Sequence, residues 1–230
     1  MNSSIFIAAA GRTLGIDRVL ARRCPQFSRS ALQRWIDQGR VEQAGEIDAD
    51  LIVLQEVQTW QSVSIFCDNI LNYAEPGKYR WMPFVNGPDT DNACFFKPDV
   101  LDSLDYGYID AGVRYTVWYK FRPDRYSSSD AEFVIFSSHL KAGTDPSDEA
   151  DRLVTTTAIR DYCNDFPSGS NFMVAGDFNI QSSSAGSYQM LIGYQSDNDG
   201  RCKDPINTGG TWHDNYSLRT THTQSPRVDG

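Results

Sequence analysis

The chain has 230 residues, 40% of them hydrophobic and 12% aromatic, enough for one large domain, or a domain with a small appendage, around a sizeable core. No apolar run approaches the ~20 residues of a membrane span, and the first ten residues lack the basic start of a secretory leader. The net charge of −9 is unevenly distributed: residues 11–40 hold seven arginines against two aspartates, a net of +5, and residues 41–230 carry a net of −14. A body this acidic argues against general polyanion binding, although a metal can still hold phosphate on it locally. The five cysteines (Cys24, Cys67, Cys94, Cys163 and Cys202) form no CxxC pair, so no zinc site is suggested. Cys67 and Cys94 lie in apolar surroundings and are expected in the core.

In chain order, residues 14–23 predict a helix with Ile16, Val19 and Leu20 on one face, stopped by Pro25. Ser28 can cap a second helix carrying Leu32, Trp35 and Ile36, which Gly39 ends; Val41 then starts a short extended piece. Arginines such as Arg29 and Arg34 lie on the exposed faces, which fits either a solvated basic surface or contact with an RNA backbone. A strand follows over 50–55, then a helix with Trp60, Val63, Cys67, Ile70 and Leu71 at helical spacing. Strands are expected over 93–97, 113–121 and 132–140, the last two joined by a polar hairpin over 123–130. Residues 146–164 predict a helix with Asp145 as cap, Pro146 in the first position, Asp148 and Glu149 at its positive end, and Leu153, Val154, Ala158 and Tyr162 on its buried face. A strand over 171–176 comes next. Beyond Gln181 the chain reads mostly as loop, with a short helix near 188–192.

Two of these strands end in the same way. Leu51-Ile52-Val53-Leu54 runs into Gln55-Glu56, and Phe172-Met173-Val174-Ala175-Gly176 runs into Asp177-Phe178-Asn179. One strand ending in a carboxylate is common, because strands end at the surface. Two doubly buried strands delivering Glu56, Asp177 and Asn179 to one edge would instead build an oxygen-rich pocket for a hard cation such as Mg²⁺. The strand Phe136-Ser137-Ser138-His139 ends in a histidine, either structural or placed to touch a phosphate oxygen and, as imidazolium, to offset charge there.

Two resemblances follow from these residues. Leu14-Gly15-Ile16-Asp17-Arg18-Val19-Leu20-Ala21, Pro25-Gln26-Phe27-Ser28-Arg29-Ser30 and Ile36-Asp37-Gln38-Gly39-Arg40-Val41 resemble the first two helices of the S-four-type RNA-binding domain of ribosomal RNA pseudouridine synthases. That resemblance implies a partial helical module over residues 1–45, with RNA contact through Arg29 and Arg34. Leu54-Gln55-Glu56-Val57, Ser138-His139-Leu140-Lys141-Ala142-Gly143 and Gly176-Asp177-Phe178-Asn179, in that order, resemble the endonuclease/exonuclease/phosphatase superfamily that includes DNase I. Residues 204–227 are similar to a bacterial, often exported, branch of it; with no leader in view, localisation stays open.

The second resemblance implies an α/β fold over residues 46–230: a two-sheet α/β sandwich flanked by helices, with the active site at one end of the sheets. It implies a metal-dependent phosphoester hydrolase, a nuclease, phosphodiesterase or phosphatase. Glu56 would ligate Mg²⁺ (or Mn²⁺), Asp177 would orient or deprotonate water, Asn179 would hold water or a phosphate oxygen, and His139 would contact the scissile phosphate. The family's opening strand ending in Asn, its closing Asp strand and its Ser-Asp-His motif have no counterpart here. The sandwich is therefore expected to be incomplete, with an open strand edge and impaired activity. The alternative is an RNA-binding or interaction protein acting through the basic module. Selectivity is expected in residues 76–92, 122–130 and 181–230, where Trp212 and Tyr216 either pack or stack a base.

Overall fold

The computed structural model describes residues 7–8, 41–42, 49–213 and 215. The helices expected over 14–23 and 28–39, with Arg29 and Arg34, lie outside the described residues, as does Tyr216. Near the N-terminus, β1 (Ile7–Ala8) and β2 (Val41–Glu42) form a short parallel pair.

The body is built on two sheets. In the first, β3 (Leu51–Val57) and β4 (Arg80–Trp81) flank β5 (Asp91–Phe96), both antiparallel to it. In the second, β6 (Leu101–Ile109), β7 (Thr116–Pro123), β8 (Phe133–His139) and β9 (Asn171–Asp177) lie side by side; all neighbours are antiparallel except β8 and β9, which are parallel. The parallel pair requires a crossover, and α2 (Pro146–Asn164) provides it. Asp145 and Asp148 close a capping box at its start, with Pro146 in the first turn. Before it, α1 (Trp60–Phe66) is capped by the Thr59 side chain and runs on as a π-helical stretch over Cys67–Leu71. After β9 comes α3 (Gly186–Ile192).

Alternating side chains sort these elements into four layers. Val53, Cys94, Phe96, Val117, Tyr119, Phe121 and Ile135 meet between the sheets. Ile52, Leu54, Val57 and Phe95 face the other way, onto Val63, Phe66, Cys67 and Leu71 of the first helix. Val134 and Phe136 do the same on the far sheet against Ile159, Cys163 and Leu191. This is the expected two-sheet α/β sandwich with helices outside, and Cys67 and Cys94 are core residues as anticipated. Among the described residues β3 pairs only with β5 and β9 only with β8, so each presents one sheet edge. No described helix is long and apolar enough to cross a membrane.

Three local expectations need correction. A strand over 101–109 was not foreseen: β6 is an edge strand whose Leu104, Tyr106 and Tyr108 point outward, exposed. Its apolar row is turned to solvent rather than to a core. The inner face of α2 is only partly the expected row of Leu153, Val154, Ala158 and Tyr162: Tyr162 packs on Phe136 and Trp118, but much of that face is polar. Val154 is exposed, and the buried side chains are Arg152, Thr155, Thr156, Ile159, Arg160 and Cys163. The polar ones are accommodated because loop carbonyls receive them. Arg152 donates to the carbonyls of Lys141 and Gly143, and Arg160 to those of Met190, Leu191, Gly193 and Asp197. Finally, Trp60 is not on the buried face of α1 but 55% exposed.

Candidate active site

The ends of β3, β8 and β9 meet at one edge of the sandwich. In β8 and β9 the register pairs His139 with Asp177, the last residue of each strand. The preceding pair, Ser138 with Gly176, can exist only because residue 176 is glycine. Its φ is +144°, and a Cβ there would lie 1.8 Å from the Ser138 carbonyl oxygen. The close approach brings the two strand ends together and so fixes Asp177 beside His139.

β3 is joined to this pair by a buried polar chain. The Gln55 side-chain amide donates to Ser137 Oγ at 2.9 Å, Ser137 Oγ donates to Asn92 Oδ1 at 3.0 Å, and Asn92 Nδ2 donates to the Tyr115 carbonyl at 3.0 Å. Gln55, Asn92 and Ser137 are all buried, so each bond replaces water that the site excludes. The next residue, Glu56, sits in a bulge where β3 spends an extra residue between Leu54 and Val57 relative to β5. Its φ is +64°, a left-handed conformation that costs a non-glycine residue about 1–2 kcal/mol. Strain of this kind gathers at functional positions. Asn179 is also left-handed, at φ +48°.

A second circuit fixes the remaining groups. Asn179 donates its backbone N–H to Asp177 Oδ1 at 3.2 Å and its side-chain amide to the Leu140 carbonyl at 3.0 Å. That carbonyl also accepts from Arg114 Nη1 at 3.1 Å. Arg114 donates through Nε to Thr90 Oγ1 at 3.1 Å and pairs with Asp89 at 2.9 Å. Thr90 Oγ1 lies 3.3 Å from His139 Nδ1. One guanidinium therefore holds both the loop that touches His139 and the carbonyl that holds Asn179.

His139 is buried, and burial pushes its pKa below the ordinary imidazole value. Asp177 opposes this, Arg114 adds to it, and Glu56 and Asp89 oppose it. Burial thus favours the neutral ring over the imidazolium. Asp91, at the start of β5, is also buried. Desolvation raises its pKa against the lowering effect of the Gly87 N–H, which donates to it at 2.7 Å, and Asp89 adds to the rise.

All four residues anticipated for catalysis or metal binding (Glu56, His139, Asp177 and Asn179) therefore come to one edge. Gln55 belongs to the Leu54–Val57 motif, but Thr90, Asn92 and Arg114 carry no such signal: their sequence trace is a polar stretch at the start of β5 and a lone arginine ahead of β7. Trp212 does not stack a base: it is buried, meets Tyr188 edge to face at 4.9 Å and donates its indole N–H to the Thr208 carbonyl. Among the described residues no cluster of three His, Cys, Asp or Glu side chains forms a ready cage for a metal. An ion that keeps most of its water needs less, since Mg²⁺ binds through one or two carboxylates. The carboxylates of Glu56 and Asp177 at one edge fit that ion, and no cysteine lies among them to favour a softer one.

Comparison with known proteins agrees with this architecture. The sequence matches the Endonuclease/Exonuclease/phosphatase family over residues 19–229, a span that begins inside the basic stretch. No curated protein matches it. Among solved structures, a functionally unknown conserved protein from Enterococcus faecalis V583 superposes with a TM-score of 0.52 at 16% identity, covering 81% of this chain and 69% of that one. The human Nocturnin catalytic domain gives 0.52 at 14% identity, covering 89% and 74%. A β-hairpin deletion mutant of Staphylococcus aureus beta toxin gives 0.51 at 12% identity, covering 87% and 71%. At such identities these likenesses speak for the fold, and the family match carries the assignment: this chain belongs to the endonuclease/exonuclease/phosphatase family of phosphoester hydrolases.

Proposed function

We propose that the chain is a metal-dependent phosphoester hydrolase whose site is the edge formed by Glu56, His139, Asp177 and Asn179. The observation that carries this reading is their convergence. Three strand ends from two sheets bring a carboxylate, a histidine and a second carboxylate to one place, and both Glu56 and Asn179 hold left-handed backbones to get there.

In this reading Glu56 holds Mg²⁺, or Mn²⁺ in its place. The ion, when bound, would supply Lewis-acid stabilisation of charge on the phosphoryl oxygens. Asp177 orients a water molecule and accepts its proton as it attacks phosphorus in line with the leaving oxygen. Its Oδ1 is already steadied by the Asn179 N–H, and the Asn179 side chain positions water or a phosphate oxygen. His139, neutral and braced by Thr90, donates a hydrogen bond to a phosphate oxygen. That task needs no net charge on the ring. Arg114 acts behind these groups, through Thr90 and the Leu140 carbonyl. Attack on phosphorus breaks the P–O bond to the leaving oxygen, which takes a proton from solvent water, while Asp177 releases the proton it accepted to solvent.

The test is hydrolysis of bis-p-nitrophenyl phosphate by the folded protein with Mg²⁺ and with EDTA. Turnover that requires the metal supports the proposal, and metal-independent turnover or none at all rejects it.

A further inference from the structure

A cleft of about 500 Å³ is lined by the rings of Trp60, Trp81 and Phe84, with Thr59, Pro83 and the amides of Gln61 and Asn86 among them. Both walls lead to the active edge. One rises from Thr59, three residues beyond Glu56. The other is the loop 83–90, pinned by the Gly87–Asp91 hydrogen bond and ending at Thr90, which touches His139 and Arg114. Trp81 and Phe84 are anchored, each packed on the core formed with Val63 and Phe66. Trp60 is not: it opens α1 with more than half its surface in solvent.

Resting on the hydrolase reading above, we propose that this cleft is a subsite for the base of a nucleotide phosphoester. Anchored rings together with an exposed indole suit a flat aromatic group, which stacks on such surfaces. The two amides offer paired donors and acceptors, the groups with which side chains meet base edges. An acyl chain fits less well, because the largest lining side chains are the three aromatic rings and the amides would lose water with nothing in return. Glu56, three residues before Thr59 in the chain, would then take the phosphate end of such a substrate to the proposed metal.

The probe is adenosine, which carries no phosphate, titrated in EDTA to about 10 mM into ¹⁵N-labelled protein while the tryptophan indole resonances are followed. The chain has five tryptophans, and assignment comes from Trp60→Phe and Trp81→Phe. The proposal expects the Trp60 and Trp81 resonances to shift saturably while those of the buried Trp212 and of Trp118 stay still. It also expects Trp60→Ala, at an exposed position, to weaken the Trp81 response about tenfold, and Asn86→Ala to weaken it as well. Adenosine monophosphate and a trinucleotide distinguish a free nucleotide from a strand as the source, and movement of the same two indoles with either supports the subsite. If neither they nor adenosine move these resonances, or if myo-inositol or glycerophosphocholine moves them instead, the proposal is overturned. Because these titrations contain no metal, their failure is separate from failure of hydrolysis. Metal-dependent turnover without any indole shift removes the subsite and leaves the hydrolase.

Discussion

Replacing Gly176 with alanine tests the physical basis of the site. The new Cβ would stand 1.8 Å from the Ser138 carbonyl oxygen, a backbone atom that cannot swing aside. The strands β8 and β9 would have to part by roughly 1.6 Å to restore ordinary contact. The φ of +144° adds strain of about 1–3 kcal/mol for any residue with a Cβ. Parting the strands weakens the neighbouring ladder bonds and the Leu140 N–H bond to the Asp177 carbonyl, at about 1 kcal/mol each. Together these give a loss of roughly 3–5 kcal/mol, or a Tm lower by at least about 6 °C for a chain of this size. Gly169→Ala is the control: its φ is also positive, +87°, but nothing lies within 4 Å of the added atom, so only the strain of about 1–2 kcal/mol remains. Urea unfolding of both variants measures the difference. Equal losses, within about 0.5 kcal/mol, would refute the claim that the close approach of Gly176 to Ser138 is what sets Asp177 beside His139.

Other outcomes follow from single contacts. Ser137→Ala leaves the buried amides of Gln55 and Asn92 without their shared partner and should lower stability by about 2–4 kcal/mol in urea unfolding, with turnover falling as Glu56 loses its anchor. Glu56→Gly should be less destabilising than Glu56→Ala in the same assay, because glycine accepts a φ of +64°, while both abolish metal-dependent hydrolysis. Two partly buried carboxylates contribute to the response to acid. Burial pushes Glu149 up, but the Ser187 N–H and Arg152 outweigh it; burial pushes Asp204 up, but the Tyr188 hydroxyl and the backbone N–H groups of Ile206 and Asn207 outweigh it. Both folded pKa values are depressed, so their stabilisation is present above about pH 4 and is lost as pH falls through the lower folded values. Tm measured against pH should therefore fall less steeply in acid for Glu149→Gln and Asp204→Asn than for the unmodified chain.

The parts of the fold that were legible in the sequence are those whose signals are local. The apolar runs of β3 and β9 and the Asp145–Pro146 start of α2 announce themselves within a few residues, and so do the acceptors that end the two strands. The rest depends on partners far along the chain. Arg160 is fully buried because it gathers carbonyls 30 or more residues away. No periodicity of apolar residues could place it on the inner face while leaving Val154 outside. Arg114 likewise gains its meaning from Thr90 and Leu140 on other loops. The β6 edge strand was missed for the opposite reason: its outward row of Leu104, Tyr106 and Tyr108 looks apolar but faces solvent. Gly176 shows both sides, since the sequence displays a glycine before Asp177 but not the carbonyl that only a glycine can meet.

The central claim, that Glu56, His139, Asp177 and Asn179 act as one hydrolytic site, is tested most directly by Mg²⁺-dependent hydrolysis of bis-p-nitrophenyl phosphate by Glu56→Gln, His139→Ala, Asp177→Ala and Asn179→Ala, each checked for folding by thermal unfolding. The account predicts that every folded variant loses at least about 100-fold in turnover, and that combining two of them costs far less than the product of the single losses. Folded variants that keep the activity of the unmodified chain would contradict it.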